Sequence, residues 1–368
     1  MMSVQSSSLF DLPLDLVEEI LARVSASSLK RLRSTCKQWN VLFSDQRFTM
    51  KHFDKAEKQV LVAMLRGYDI YSTSLNLRGL QDNIDPSIQL KGEAILDPLY
   101  CSLLNTLVFQ VFHCNGLLLC KTVARVLVWN PCTGQTKWIK DTVSLNDKYA
   151  LGYENNKPCY SYKIMRFLDL DTFDLEIYEF NSNQWRVLCS ITPDFTIAFF
   201  EDGVSLKGNS YWIASDKGKE ELTQDFLISF DFTTERFGPR VCLPFKGCSY
   251  WDTISLSSTV REDRLSVFFQ NEDTLKMEIW ITNNITQTKA MSWSPFFKID
   301  PSIHRFGTEV SFVIDEQNKV IVCCDENEED NNDFVYIIGE DQYWRKVDIG
   351  KKTYSPRLFS YAPSLVQF

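Results

Sequence analysis

Val126-Leu127-Val128-Trp129-Asn130-Pro131-x-Thr133-Gly134-x-x-x-Trp138 is an apolar run, a polar turn containing glycine, and a second run opening near an aromatic. This is the pattern of a β-hairpin. It returns as Leu175-Glu176-Ile177-Tyr178-Glu179-Phe180-Asn181-x-Asn183-x-Trp185 and as Phe226-Leu227-Ile228-Ser229-Phe230-Asp231-x-Thr233-Thr234-x-x-Phe237. Two further copies are Met277-Glu278-Ile279-Trp280-Ile281-Thr282 and Phe334-Val335-Tyr336-Ile337-Ile338-Gly339, the last followed by Tyr343-Trp344. The residues that end these strands, Asn130, Asn181, Asp231, Thr282 and Gly339, are 51, 50, 51 and 57 apart.

A period near fifty built from short strands fits the kelch-like blade of a β-propeller, a small twisted sheet that covers its apolar face by stacking on its neighbours. One period upstream of Asn130, Asp69-Ile70-Tyr71-Ser72-Thr73-Ser74-Leu75-Asn76 reads as a first copy, so six units fill the chain from residue 58 to its end. Arg357 to Val366 is too short for a blade. It is expected to pair with the first unit and close the ring, which removes exposed sheet edges. Two stacked sheets in a sandwich are the alternative. The paired glycines of many kelch repeats are missing, and glycine is only 14 of 368 residues.

Before the strands the period is helical. Leu12, Leu16, Val17, Ile20, Leu21 and Val24 fall on one stripe, with Asp15, Glu18, Glu19 and Arg23 mostly off it. Pro13 suits a first helical turn, and the early acidic residues oppose the positive end of the helix dipole. After Ser25-Ala26-Ser27-Ser28, where either late serine is expected to cap a new helix, Leu29, Leu32, Cys36, Trp39 and Phe43 form a second stripe. Lys30, Arg31, Arg33 and Lys37 lie between them. Some forty residues make too small a core to stand alone, so something else must cover the remaining apolar surface.

Leu12-Pro13-x-Asp15-Leu16-x-Glu18-x-Ile20-Leu21, Ser28-Leu29-x-x-x-Arg33-x-x-Cys36-Lys37-x-Trp39 and Ser44-Asp45-x-x-Phe48 together resemble an F-box. The turn Ser25-Ala26-Ser27 lacks the proline often found there. The resemblance implies a helical module over residues 8–52 that docks on the Skp-type adaptor of a cullin-based (SCF) ubiquitin ligase. It also implies contacts to that adaptor from Leu12, Pro13, Leu16, Ile20, Leu21, Leu32, Cys36, Trp39 and Leu42, with Trp39 as the main anchor. Nearly everything after residue 100 resembles the F-box-associated domain of plant proteins, whose expected range here is 58–368. The match lies in Trp129-Asn130-Pro131-x-Thr133-Gly134-x-x-x-Trp138-Ile139, Leu151-Gly152-Tyr153, Tyr162-Lys163-Ile164, Phe230-Asp231-x-Thr233-x-Glu235-x-Phe237 and Ser360-Tyr361-x-Pro363-Ser364-Leu365-Val366. That implies a substrate-recognition domain for a target protein that the sequence does not name. The expected fold class is α+β, a small helical F-box followed by a large all-β domain, a six-bladed propeller closed by its C-terminal strand.

Composition agrees with a globular protein: 44% hydrophobic, 24% charged and 13% aromatic residues. Net charge is −9, unevenly spread. Residues 1–60 hold 9 basic and 7 acidic groups, and the rest hold 30 and 41. An acidic β domain argues against sequence-independent nucleic-acid binding, which needs cations on phosphates. Eleven cysteines, an odd number with no Cys-x-x-Cys, argue for free thiols in a reducing compartment, cytoplasmic or nuclear, and make Asn284-Ile285-Thr286 a chance sequon. Leu103 to Trp129 is the most apolar region, yet Asn105, Gln110, His113, Asn115 and Lys121 interrupt it, so a membrane span is not expected.

No catalytic constellation emerges. Of three histidines only His113, near Cys114 and Cys120, suggests a metal, and strand alternation would send His113 and Cys114 to opposite faces. No phosphate-binding or nucleophile-elbow motif occurs. Asp169-Leu170-Asp171-Thr172-Phe173-Asp174 lacks the glycine and distal glutamate of a calcium loop and reads as a hairpin turn. The acidic run from Asp325 to Asp333 reads as a solvated loop. The expectation is a non-catalytic receptor subunit without cofactor. The rivals are a glycan- or small-molecule-binding propeller, lectin or enzyme, and a scaffold that never meets a ligase.

Overall fold

The computed structural model describes residues 12–56, 61–76, 87–91, 107–123, 125–139, 144, 147–155, 160–168, 174–188, 193–197, 203–217, 225–245, 249, 251–259, 264–283, 291–299, 304–325, 331–339, 343–354 and 356–368. The sequon, the turn 169–173 and most of the acidic run lie outside them, as do the first residues of both expected domain ranges.

Among the described residues, four short helices come first: α1 Leu14–Leu21, α2 Ala26–Arg33, α3 Lys37–Leu42 and α4 Gln46–Lys55. The cap of α2 is Ser25, whose hydroxyl accepts from Ser28 N–H, so the cap lies earlier than the late serines suggested. The second apolar stripe is likewise not one helix. Ser34 closes α2 and Cys36 is extended at the start of α3. Spacing alone did not reveal that break, because a tight turn between two short helices preserves the three-and-four rhythm. Asp45 then caps α4, accepting from Arg47 and Phe48 N–H at 2.9 and 3.1 Å.

Among the described residues, twenty-six strands make six antiparallel sheets. Blade one holds Leu61–Arg66 (β1), Asp69–Asn76 (β2) and Ser87–Lys91 (β3). Blade two holds Val108–Cys114 (β4), Leu117–Thr122 (β5), Val126–Trp129 (β6) and Thr136–Ile139 (β7). Blade three holds Lys148–Glu154 (β8), Ser161–Leu168 (β9), Asp174–Glu179 (β10) and Gln184–Val187 (β11). Blade four has split edges, Phe195–Ile197 (β12) and Val204–Leu206 (β13) inside, Asn209–Asp216 (β14) and Phe226–Asp231 (β15) between, Arg236–Phe237 (β16) and Val241–Cys242 (β17) outside. Blade five holds Thr253–Ser258 (β18), Leu265–Gln270 (β19), Met277–Thr282 (β20) and Trp293–Ile299 (β21). Blade six holds Ser311–Asp315 (β22), Val320–Asp325 (β23), Asn332–Gly339 (β24) and Trp344–Lys351 (β25). The last strand, Arg357–Tyr361 (β26), pairs with β1 in the register Val62↔Ser360 and supplies the inner strand that blade one lacks. The ring closes as expected. Each repeated motif is the third strand of a blade and the turn into the fourth.

Pleating lets one strand serve two interfaces. Val62 and Met64 of β1 face blade six with Val313, Val320 and Val322, while Ala63 and Leu65 face blade two with Val108, Leu118 and Leu127. Strands covered on both faces lose the polar alternation of a half-solvated sheet. All six residues of β5 are buried, as are all of β19 and β23, whereas the outer β11 and β25 are mostly exposed or half-buried. This explains the apolar run before Trp129: it is propeller interior. Lys121, inside it, donates to the Asp147 carbonyl at 2.5 Å. Between blades three and four, buried Lys163 sits 2.6 Å from both Glu154 and Glu235; burial opposes its charge, but the two carboxylates outweigh that and raise its proton affinity.

The strands of each blade alternate in direction, and inner strands of neighbouring blades run parallel, as the Thr259–Ile314 bridge between blades five and six records. The links between second and third strands, and from a fourth strand to the next blade, therefore open on one side of the ring. The links from first to second and from third to fourth open on the other.

Candidate functional site

The helices sit on the second of those sides. Asn130, fully buried in the β6–β7 turn, donates through Nδ2 to the carbonyls of Ser364 (3.1 Å) and Val366 (2.7 Å) and accepts at Oδ1 from Cys132 and Thr133 N–H (2.8 and 3.2 Å). One side chain thus pins the chain's final residues to blade two. Leu365 and Cys132 then enter the helical core formed by Val17, Leu21, Ala22, Ala26, Leu29, Phe43 and Phe48. Burial pushes the Cys132 thiol up to about 11, so it stays neutral there. Lys30 Nζ donates to the Pro131 carbonyl at 2.9 Å, Gln367 reaches the Ser44 carbonyl, and Phe53 meets Tyr160 edge-on at 5.4 Å. Gly116, at φ +80°, lets Ser364 and the Ala362 carbonyl come within 2.8 Å of where a Cβ would stand, a packing only glycine allows.

This docking divides the first stripe into two faces. Val17 and Leu21 point inward. Leu12, Leu16 and Ile20 are exposed, Leu16 by 52% and Ile20 by 44%, and they are joined by Leu14 at 72% and Val41 at 71%. Leu21, expected among the adaptor contacts, is 3% exposed and belongs to the core, because α1 turns it toward Leu29 and Phe48. Pro13, at the start of α1, is exposed; Cys36 is half-buried, and Leu32, Trp39 and Leu42 pack partly against the core. Trp39 stacks on Phe43 at 5.9 Å, so one face of the indole is committed internally. The sequence reading missed Leu14 and Val41. Val41 lies off the three-and-four rhythm, while Leu14 stands three residues before Val17, in step with the buried residues; only the docked pose reveals that both are exposed.

The ledge is held rigid by polar ties. Glu19 bonds Lys55 (2.7 Å), Lys51 (3.1 Å) and Arg23 (2.6 Å), joining α1 to α4; Lys55 above all, then Lys51, holds its carboxyl down to about 2. His52 is buried with its Nε2 2.8 Å from the Val24 carbonyl and Nδ1 unbonded, and burial lowers its proton affinity below the ordinary 6.5. The folded module keeps it neutral, whereas the unfolded chain binds a proton. Its stability contribution is therefore full above pH about 6.5 and falls as pH drops through that value toward the lower folded-state pKa. Thermal melts should show a lower midpoint at pH 5.5 than at 7.5, a difference that His52→Gln reduces.

Elsewhere, His113 accepts from Gly116 N–H at 2.9 Å and rests edge-on against Tyr361, a turn-forming role. Cys120 is fully buried and pushed up to about 12. Val111, Ser205, Ser257, Glu309, Ser311 and Arg357, from or beside the inner strands, line a cavity of about 110 Å³, and Arg357 and Glu309 pair at 2.9 Å in its wall.

Residues 9–51 match the F-box domain family, and residues 61–368 match the F-box associated beta propeller domain family. The chain belongs to the F-box family. A putative F-box/kelch-repeat protein of Arabidopsis thaliana is 66% identical to it over the whole of both chains. A putative F-box protein of that plant is 55% identical, again over the whole of both, and an F-box protein is 40% identical over 97% of each. Among solved structures, TolB from Acinetobacter baumannii superposes at a TM-score of 0.43 with 10% identity, over 81% of this chain and 66% of that one. This F-box protein carries its family's helical module seated on a closed six-bladed propeller, with Leu12, Leu16 and Ile20 beside one another on the first helix and turned to solvent.

Proposed function

We propose that this F-box protein is the substrate-receiving subunit of a cullin-based ubiquitin ligase. Its helices bind the Skp-type adaptor and its propeller presents a target protein. The observation that carries this reading is the two-sided module: one face sealed on Cys132 and Leu365, while Leu16 and Ile20, one helical turn apart on α1, stay open to solvent, as do Leu14 and Val41 elsewhere on the module. A cluster of exposed large aliphatic side chains is what a partner covers. No bond chemistry is needed from this chain. Holding a target beside a charged ubiquitin carrier raises its effective concentration to about millimolar or above, which turns an encounter into a nearly intramolecular step.

A small-molecule receptor is less well supported. The axial cavity of about 110 Å³ falls below the roughly 300–1,000 Å³ of ordinary ligand pockets, and the two charged groups in its wall, Arg357 and Glu309, are paired with each other. Co-expression with a Skp-type adaptor should yield a one-to-one complex, and Leu12→Ala with Pro13→Ala should deplete it; the absence of any complex from the parent chain would overturn the reading.

A further inference from the structure

Charge is distributed unevenly over the helical module. Residues 12–56 carry eight Lys/Arg and five Asp/Glu, yet from Ile20 to Ser44 there is no acid at all. That stretch, the end of α1 through α3, holds Arg23, Lys30, Arg31, Arg33 and Lys37. Arg23 pairs with Glu19, and Lys30 is turned to the propeller by its bond to the Pro131 carbonyl. Among the described residues no ion pair reaches Arg31, Arg33 or Lys37.

Two of these cations border one exposed apolar side chain. Lys37 and Val41, one turn apart on α3, share a side of that helix, and both are exposed, Val41 by 71%. The Arg33 guanidinium reaches from the end of α2 to Asn40 Oδ1 at 2.7 Å and Ser44 Oγ at 2.6 Å, the residues just before Val41 and one turn after it. These bonds hold a positive charge beside Val41 without neutralising it, since both acceptors are uncharged. The nearest acid in the sequence, Asp45, is committed elsewhere: its carboxylate caps α4 by accepting from Arg47 and Phe48 N–H.

We propose that the face of α3 around Lys37 and Val41, with Arg33 at its border, takes an acidic surface of the Skp-type adaptor, a second contact beside the α1 ledge. Like charges held together without a balancing acid repel one another, and an anionic partner relieves that repulsion while its own carboxylates gain fixed counterions. The assignment of the partner as the adaptor rests on the receptor reading above.

The asymmetry also selects an orientation. α1, which carries the ledge, has Asp15 and Glu18 where α3 has cations. A partner docked the wrong way round would set its acids against those two carboxylates, and like charges brought face to face disfavour that pose. Charges at such a border act mainly on the rate of encounter, whereas Val41 and the ledge, once covered, act on the rate of escape.

The test mixes the full chain with a Skp-type adaptor and reads association and dissociation rates separately, at about 0.1 M and about 1 M salt, where the screening length falls from roughly 10 to roughly 3 Å. At the lower salt Lys37→Glu should slow association roughly tenfold and leave dissociation within about twofold; at the higher salt the difference should vanish. Lys37→Gln, which removes a charge without adding one, should fall between and decides the matter if the Glu variant fails to fold. Val41→Ser should instead speed dissociation. Arg125→Glu, the same charge change at an exposed position of blade two, should leave association at the parent rate. Association of the Lys37→Glu and Lys37→Gln chains at the parent rate would overturn the proposal and leave the receptor reading standing, as would equal slowing by Arg125→Glu, which would reflect net charge alone. No complex with the parent chain would overturn both.

Discussion

Asn130→Ala should lower the stability of this protein by about 3 kcal/mol or more and release the helical module from the propeller. Its amide makes four hydrogen bonds at a fully buried position, two donated to the Ser364 and Val366 carbonyls and two accepted from Cys132 and Thr133 N–H. Truncation leaves two carbonyls and two N–H groups without partners in a dry site, at about 1–3 kcal/mol for each group that water cannot reach. The loss should not stay local. The pinned tail carries Leu365 into the helical core and continues from β26, the strand that closes the ring. Chemical denaturation followed by Trp39 and Trp129 fluorescence should show an earlier midpoint. Limited proteolysis should cut between α4 and β1 faster than in the parent. Asn130→Asp retains both accepted bonds but cannot donate, so it should fall between the two. An Asn130→Ala chain as stable as the parent would remove this latch from the account.

The second large effect concerns the ledge. Leu16→Asp with Ile20→Asp should abolish recovery with a Skp-type adaptor, an affinity loss of at least about 100-fold, or some 3 kcal/mol. Both side chains are exposed in the isolated chain, so the charges cost little before binding and much after, when a partner would bury them unpaired. Circular dichroism and the melting midpoint should therefore stay close to the parent values. Leu21→Asp supplies the contrast. That residue is buried, and the same charge there should unfold the helices outright. Loss of adaptor with loss of fold at Leu21, and without it at Leu16 and Ile20, separates a contact surface from a core. Unchanged recovery by the Leu16→Asp, Ile20→Asp chain would refute the assignment of the ledge.

How much of this was legible in the sequence depended on the range of the interactions. The blade repeat could be read because the third strand of each blade faces the same surroundings, so similar residues recur at Trp129, Phe180, Phe230, Ile281 and Ile338. Ring closure could be read because an unpaired strand edge is costly wherever it lies, and Arg357–Tyr361 was the stretch left to cover it. The face of α1 that meets a partner could not be read, because helical spacing places Leu16, Val17, Ile20 and Leu21 on one broad stripe without saying where core ends and ledge begins.

By itself, then, the order of residues determined the strands' fifty-residue rhythm and the helical module in front of them, since these follow from backbone preference and apolar period, whereas the number of blades and the break between α2 and α3 came with the structure. Only the tertiary structure decided which side of the ring the helices occupy. With that it decided that Leu21 is core while Leu14 and Val41 are surface, and that Tyr68, Phe109 and Tyr354, far apart in the chain, stand together on the opposite side. The reason is physical: burial belongs to a residue's neighbours in space, and those neighbours are fixed when Asn130 captures a tail more than two hundred residues away in the chain.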